Sequence, residues 1–157
     1  MGVEVDCIRT VKESIAKLGG LDIIISNAVN LPPTPHFLSS ILNFRIQGYT
    51  RFSDFADLNA PTVEDWDTCY AVNVKAQAFL MREAVPTFNT NPDGGVFIIS
   101  SSIAGRVTGG SSMPYSVTKA AQLHLMRCLA STQGPKVRIN AVLPGLLMTE
   151  WVSCEHP

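Results

Sequence analysis

This sequence of 157 residues has few of the features that accompany nucleic-acid, membrane or metal binding. Its formal net charge is −1, so no excess of positive charge indicates a nucleic-acid or anionic-membrane partner. No apolar run approaches the ~20 residues that cross a bilayer, and no basic, then apolar start marks a signal peptide. The cysteines occur without a Cys-x-x-Cys pair or a histidine at metal-ligand spacing, which predicts reduced thiols, no metal and a cytoplasmic protein. They are Cys7, Cys69, Cys128 and Cys154.

Also lacking is a glycine-rich phosphate-binding loop ahead of the first helical pattern, which begins near Val5. What is present is an alternation of helical apolar stripes and short continuous apolar runs. The predicted helices are Val5–Leu18, Thr62 to about Val85 with breaks at Pro86 and Asn91–Gly95, and Pro114 to about Thr132. The predicted strands are Leu21–Ser26, which is typical of a strand buried on both faces, a second buried strand at Val96–Ser100, and a third strand at Val137–Leu143. This order predicts an α/β protein with a parallel, doubly wound sheet covered by helices on both faces.

Several polar or turn-forming residues lie at the carboxyl ends of the predicted strands. They are Asn27, Ser102, and the pair Pro144 and Gly145. The carboxyl ends of parallel strands lie at one edge of the sheet, where such folds bind ligands. We therefore expect these three segments to form one site.

Tyr115 and Lys119 are four positions apart in a predicted helix, so they lie on one face. A nearby ammonium group is expected to lower the pKa of the phenol from its usual value of about 10, which would suit it to general acid-base catalysis. Ser102 could hold a carbonyl or alcohol oxygen beside it. The pair could also be an ordinary exposed one, and Asn73 could be an ordinary helical polar residue. Ser100 and Ser101 adjoin Ser102, so a turn role is open for any of the three serines.

The ordered set of motifs resembles the short-chain dehydrogenase/reductase (SDR) family. The matching segments are Leu21–Ala28, Asn73-Val74, Ile99–Gly105, Tyr115-x-x-x-Lys119, Pro144-Gly145 and Thr149. Their order and spacing carry the resemblance from Leu21 to Trp151. It implies a Rossmann-like fold and an NAD(P)-dependent oxidoreductase that acts on a small-molecule alcohol or carbonyl group.

The resemblance also implies a role for each matching residue. Tyr115 is the general acid or base, and Ser102 orients the substrate oxygen. Lys119 binds the nicotinamide ribose and lowers the pKa of the tyrosine, while Asn73 supports a proton relay. The residues implied near the cofactor, NAD or NADP, are Asn27, Ala28, Asn73, Tyr115, Lys119, Pro144, Gly145 and Thr149.

Three departures from the family pattern predict a single partial domain over residues 1–157. The first strands with their glycine-rich turn do not precede Val5, and the last strand does not follow Trp151. In addition, Val29–Gln47 interrupts an Asn-Ala-Gly motif that would otherwise join Asn27-Ala28 to Gly48. Valine codons begin with GU and glutamine can be encoded CAG, and these match the two boundary signals of a spliced intron. We therefore hypothesise that 29–47 and the tail 152–157 are translated introns and that Met1 is an internal start.

Three functional interpretations follow from these patterns. The first is an SDR oxidoreductase with Tyr115 as its acid-base group. The second is a truncated, catalytically inactive remnant, and the third is an interaction module that forms a homo-oligomer through Thr62–Val85 and Pro114–Thr132. For the isolated chain we expect poor solubility or oligomerisation, because Leu21–Ser26 would be an exposed sheet edge. We also expect NAD(P)H affinity too weak to detect, because the pyrophosphate would lack the backbone donors of the glycine-rich turn.

Overall fold

The computed structural model describes residues 4–27 and 48–146. The helices are α1 (Glu4–Leu18), α2 (Val63–Tyr70), α3 (Ala76–Thr90) and α4 (Met113–Gln133). A π-helical turn at Ala71–Lys75 joins α2 to α3, and a 3-10 turn at Ile103–Gly105 precedes α4. The strands are β1 (Ile23–Ser26), β2 (Gly95–Ser100) and β3 (Val137–Val142). Ala28, Thr149 and the segments 29–47 and 152–157 lie outside the described residues, so predictions about them stay predictions.

The strands form a parallel sheet in the order β1-β2-β3. Ile24 pairs with Phe97, and Phe97 pairs with Ile139 on the other side. The predicted fold class is confirmed, since a parallel three-stranded sheet is flanked by helices.

The hydrophobic core lies between the sheet and three helices. Its buried residues include Val11 of α1, Ala84 and Phe88 of α3, and Phe97 and Ile99 of β2. From α4, Met126, Leu129 and Ala130 pack against the same cluster. These three helices therefore cover the same face of the sheet, and coverage of both faces is not seen within residues 4–27 and 48–146.

The opposite face of the sheet is exposed at β1. Ile23 is 57% exposed and Ile25 is 63% exposed, whereas Ser26, which faces the core, is buried. The prediction that this strand is buried on both faces is therefore wrong for the described residues. The continuous apolar run suggested two covered faces, but period-2 alternation puts only Ile24 and Ser26 against the helices.

The second predicted helix begins as expected at Thr62 but extends further than predicted. Thr62 and Asp65 form a reciprocal capping box, which satisfies backbone donors at the start of α2. Pro86 was predicted to break the helix, yet it lies inside α3, which continues to Thr90. Proline removes one helical hydrogen bond, but the completely buried Phe88 beyond it anchors the last turn in the core.

None of the described helices is both long enough and apolar enough to span a membrane.

Candidate active site

The carboxyl ends of β2 and β3 are joined by backbone hydrogen bonds. The N–H of Ser101 donates to the carbonyl of Val142 at 2.9 Å, and that of Ile103 donates to the carbonyl of Pro144 at 3.0 Å. Ser102, which lies between these two donors, caps the 3-10 turn through its side chain. Asn27 follows β1, whose last residue Ser26 pairs with Ile99 of β2. All three strand-end segments thus lie at one edge of the sheet, as predicted.

Helix α4 begins at this edge and carries Tyr115 in its first turn. The Ser112 hydroxyl accepts a hydrogen bond from the Tyr115 N–H at 3.4 Å, and Pro114 occupies the first turn, where it displaces no helical bond. One turn further on is Lys119, whose Nζ lies 5.4 Å from the centre of the Tyr115 ring. Tyr115 and Lys119 therefore lie next to each other on one face of α4.

The Ser102 side chain lies close enough to the phenol of Tyr115 to lower its pKa. The pKa of Tyr115 is nevertheless above its usual value of 10.0, because burial raises it more than Ser102 lowers it. The expectation of a lowered tyrosine pKa is therefore wrong for this protein without ligands. The spacing showed that Lys119 is near but gave no measure of how much water the phenol loses.

The ammonium group of Lys119 is completely buried. Its Nζ donates to the Ser100 carbonyl at 3.0 Å and to Gln122 Oε1 at 3.3 Å. Burial lowers the pKa of Lys119 from 10.5 to about 7, and the nearby Cys69 opposes this shift. Near neutral pH this group therefore exists in both its charged and its neutral form.

Asn73 lies in the π-helical turn and is completely buried. Its Oδ1 accepts from the Tyr49 N–H at 2.7 Å, and its Nδ2 donates to the Tyr49 carbonyl at 3.1 Å and to Thr118 Oγ1 at 2.9 Å. The side chain therefore ties the backbone of residue 49 to α4, one residue before Lys119. π-Turns often occur at functional sites, but the relay implied for Asn73 stays a prediction.

Gly48 packs directly against this cluster with a positive φ of 99°. A Cβ atom at this position would overlap Asn73 Oδ1 and would lie 2.9 Å from Lys119 Nζ. Only glycine combines that backbone conformation with so close an approach. Gly48 therefore fixes the wall of the site next to the ammonium group.

The structure adds three residues to the site that the sequence analysis missed. Thr118 and Gln122 are buried on α4 and bond to Asn73 and Lys119, respectively, while Tyr49 contributes backbone groups. The one available sequence signal was spacing, since Gln122 follows Lys119 by three positions on a helix. A polar residue at that position could equally have faced solvent.

A family model described as short chain dehydrogenase matches residues 2–155. The chain is 35% identical over 148 residues to a protein assigned as ketoacyl reductase 2 of the granaticin polyketide synthase of Streptomyces violaceoruber. It is 33% identical over 152 residues to human dehydrogenase/reductase SDR family member 4. These alignments cover 94% and 96% of this chain but 51% and 47% of the relatives, so the chain spans about half the length of the curated relatives it matches.

Solved structures share the fold at lower identity. The structure described as ElxO with NADP bound superposes with a TM-score of 0.76 at 23% identity, covering 98% of this chain and 54% of that one. A short-chain dehydrogenase/reductase structure from Burkholderia xenovorans gives a TM-score of 0.77 at 23% identity, covering 96% of this chain and 55% of that one.

Proposed function

The chain belongs to the short-chain dehydrogenase family, and we propose that it interconverts a small-molecule alcohol and its carbonyl compound with NAD or NADP. The observation that carries this proposal is the placement of the Ser102 and Tyr115 side chains close together, with the buried Lys119 beside the Tyr115 ring. Three residues from different parts of the sequence meet there, and each has the chemistry that proton transfer to a substrate oxygen needs.

Tyr115 would act as the general acid in carbonyl reduction. Because its pKa is raised, the phenol is protonated at neutral pH and has a proton to donate. The Ser102 hydroxyl would donate a second hydrogen bond to the same substrate oxygen and hold it near the phenol. In alcohol oxidation Tyr115 would accept the proton instead, which requires its phenolate.

The described residues fit a nicotinamide dinucleotide at this edge of the sheet. In its charged form Lys119 has three N–H groups, and among the described residues two acceptors receive them, which leaves one for a ribose hydroxyl. Because Lys119 is completely buried, a ribose would reach Nζ only by displacing residues packed over it, among them Gly48, which has no side chain there. The nicotinamide, when bound, supplies or accepts the hydride.

Other residues are proposed for cofactor binding from their positions in the family pattern. Asn27 follows β1, and Pro144 and Gly145 follow β3, at the same edge as Ser102. Ala28 and Thr149 complete this proposed set, and Asn73 would act in both catalysis and cofactor binding. A cytoplasmic location and a homo-oligomeric state also remain proposals.

The reaction can be tested by titrating purified protein with NADH and NADPH and following fluorescence. Reduction of a panel of ketones, including ketoacyl thioesters, is then followed by loss of absorbance at the reduced nicotinamide band. The proposal requires saturable binding of one cofactor, in contrast to the sequence-based expectation of affinity too weak to detect. It also requires slow turnover, with Tyr115→Phe binding the cofactor but losing at least about 100-fold in rate. Absence of binding in a folded sample would contradict the proposal and favour the interpretation as an inactive remnant.

A further inference from the structure

Gln122 is a buried glutamine whose side chain points at Lys119. It is 1% exposed, lies three positions after Lys119 on α4, and its Oε1 is 3.3 Å from Nζ. A buried amide group needs hydrogen-bond partners, and here the partner is the proposed catalytic ammonium group.

The second partner of that ammonium group is part of the backbone. Nζ donates to the Ser100 carbonyl at 3.0 Å, and this carbonyl is fixed because Ser100 lies in the central strand β2. Among residues 4–27 and 48–146, Gln122 supplies the one side-chain acceptor bonded to Nζ. Substitution can therefore remove the Gln122 bond while leaving the backbone bond in place.

The described groups around Lys119 provide no carboxylate to balance its charge. Cys69 faces it from α2 and Tyr115 faces it from α4. Burial raises the pKa of Cys69 to about 12, and that of Tyr115 is also raised, so both are neutral near pH 7. The contacts from the π-turn and the adjoining loop, Asn73 and Gly48, are neutral as well. Charge on Lys119 thus depends on neutral hydrogen-bond acceptors.

We propose that Gln122 is a positioning residue that holds the Lys119 ammonium group beside Tyr115 and favours its charged form. An acceptor stabilises an ammonium group more than a neutral amine, because the positive charge strengthens the hydrogen bond to the acceptor oxygen. The consequence for catalysis rests on the proposed function, whereas the effect on Lys119 itself does not.

The direct test is the titration of Lys119 in the protein without cofactor. Lysine labelled with ¹³C and ¹⁵N reports protonation through its Cε and Nζ chemical shifts, and Lys119→Met identifies the signal. Gln122→Met keeps the volume of the side chain and removes the acceptor, so we expect the pKa of Lys119 to fall by about one unit. Gln122→Glu replaces the amide with a carboxylate, so we expect a rise of about one unit or more.

Gln77 provides a matched control. It is also a glutamine, 4% exposed, and its Oε1 has no hydrogen-bond partner among the described residues. Gln77→Met should leave the titration of Lys119 unchanged. An equal shift in Gln77→Met and Gln122→Met would overturn the proposal, as would an unchanged Lys119 in both Gln122 variants. If Gln122→Met does not fold, the direction of the shift in Gln122→Glu decides.

Titration of Lys119 and measurement of carbonyl reduction distinguish the positioning role of Gln122 from the proposed reaction. If Lys119 shifts as expected but no variant reduces a carbonyl compound, the positioning role holds and the proposed reaction fails. In an active protein, the pH at which the rate is half-maximal should move in the same direction as the pKa of Lys119. A purely structural role for Gln122 would lower the amount of active protein without moving that pH.

Discussion

At the scale of single residues, burial has more influence on the pKa values of Tyr115 and Lys119 than their proximity to each other. Each group is displaced toward its neutral form, with the pKa of Tyr115 raised and that of Lys119 lowered to about 7. The sequence showed correctly that they share a helix face, because helical spacing is a local property. The sequence could not show in which direction the pKa of Tyr115 is shifted, since desolvation depends on elements that are distant in sequence.

The lowered pKa of Lys119 predicts that stability rises with pH. Between about pH 7 and 10.5 the unfolded chain binds more protons at this lysine than the native protein does, so raising the pH favours the native state. We expect the free energy of unfolding to increase by roughly 2 kcal/mol from pH 7 to pH 9 through this one group. Urea denaturation of the native protein and of Lys119→Met at both pH values measures the difference.

We restrict the pH range to 9 because four other groups act in the opposite direction at higher pH. The pKa values of two thiols, Cys7 and Cys69, and two phenols, Tyr49 and Tyr115, are raised, so the native state retains their protons and loses relative stability above about pH 9 and pH 10, respectively. In Lys119→Met the rise between pH 7 and pH 9 should disappear. An identical rise in both proteins would show that Lys119 is not the source.

Gly48 gives a second prediction at the residue scale. In Gly48→Ala a methyl group meets Asn73 and Lys119 at a positive φ, so both the backbone and the site must shift. We expect a loss of about 1–3 kcal/mol in stability and of cofactor binding. Gly109→Ala is the control, since no atom lies within 4 Å of the added carbon. Equal stability of the two variants, measured by urea denaturation, would contradict the close packing at Gly48.

At the scale of elements, local signals predicted most of what is observed. The starts of α2 and α4 were readable from Thr62 and Pro114, because capping and the preference for proline in the first turn involve residues within one turn. The continuation of α3 past Pro86 was not readable, since burial of Phe88 by the sheet decides it. Gln122 and Thr118 were missed for the same reason, because their partners belong to a buried network assembled by tertiary packing.

The capping box at Thr62 is testable with a matched pair of substitutions. The Thr62 hydroxyl accepts from the Asp65 N–H at 3.1 Å, and Asp65 Oδ2 accepts from the Thr62 N–H at 2.9 Å. Thr62→Ala removes one of these bonds and should lower the free energy of unfolding by about 1 kcal/mol. Thr62→Ser keeps the hydroxyl and should remain close to the native value. Thermal or urea unfolding that fails to separate the two variants would refute the cap's contribution.

At the scale of the whole molecule, the sheet is asymmetric in what it exposes. Its outward face is apolar at β1, with Ile23 and Ile25, and polar at β3, where Arg138 and Asn140 pair in register with β2. β1 is also an end strand of the described sheet. The expected exposed, apolar edge therefore lies at β1. The poor solubility that we expect from it stays a prediction.

Replacing one exposed isoleucine should separate self-association from folding. Ile25→Thr keeps a β-branched side chain in the strand but makes the exposed face more polar, so we expect less association at equal stability. Sedimentation velocity over a range of protein concentrations measures the association, and urea denaturation measures the stability. Ile24→Thr is the control, because Ile24 packs against the core and its loss should destabilise the fold. Unchanged association in Ile25→Thr would mean that chains do not meet through this face, and contacts through the outer surfaces of α2, α3 and α4 would become the leading alternative.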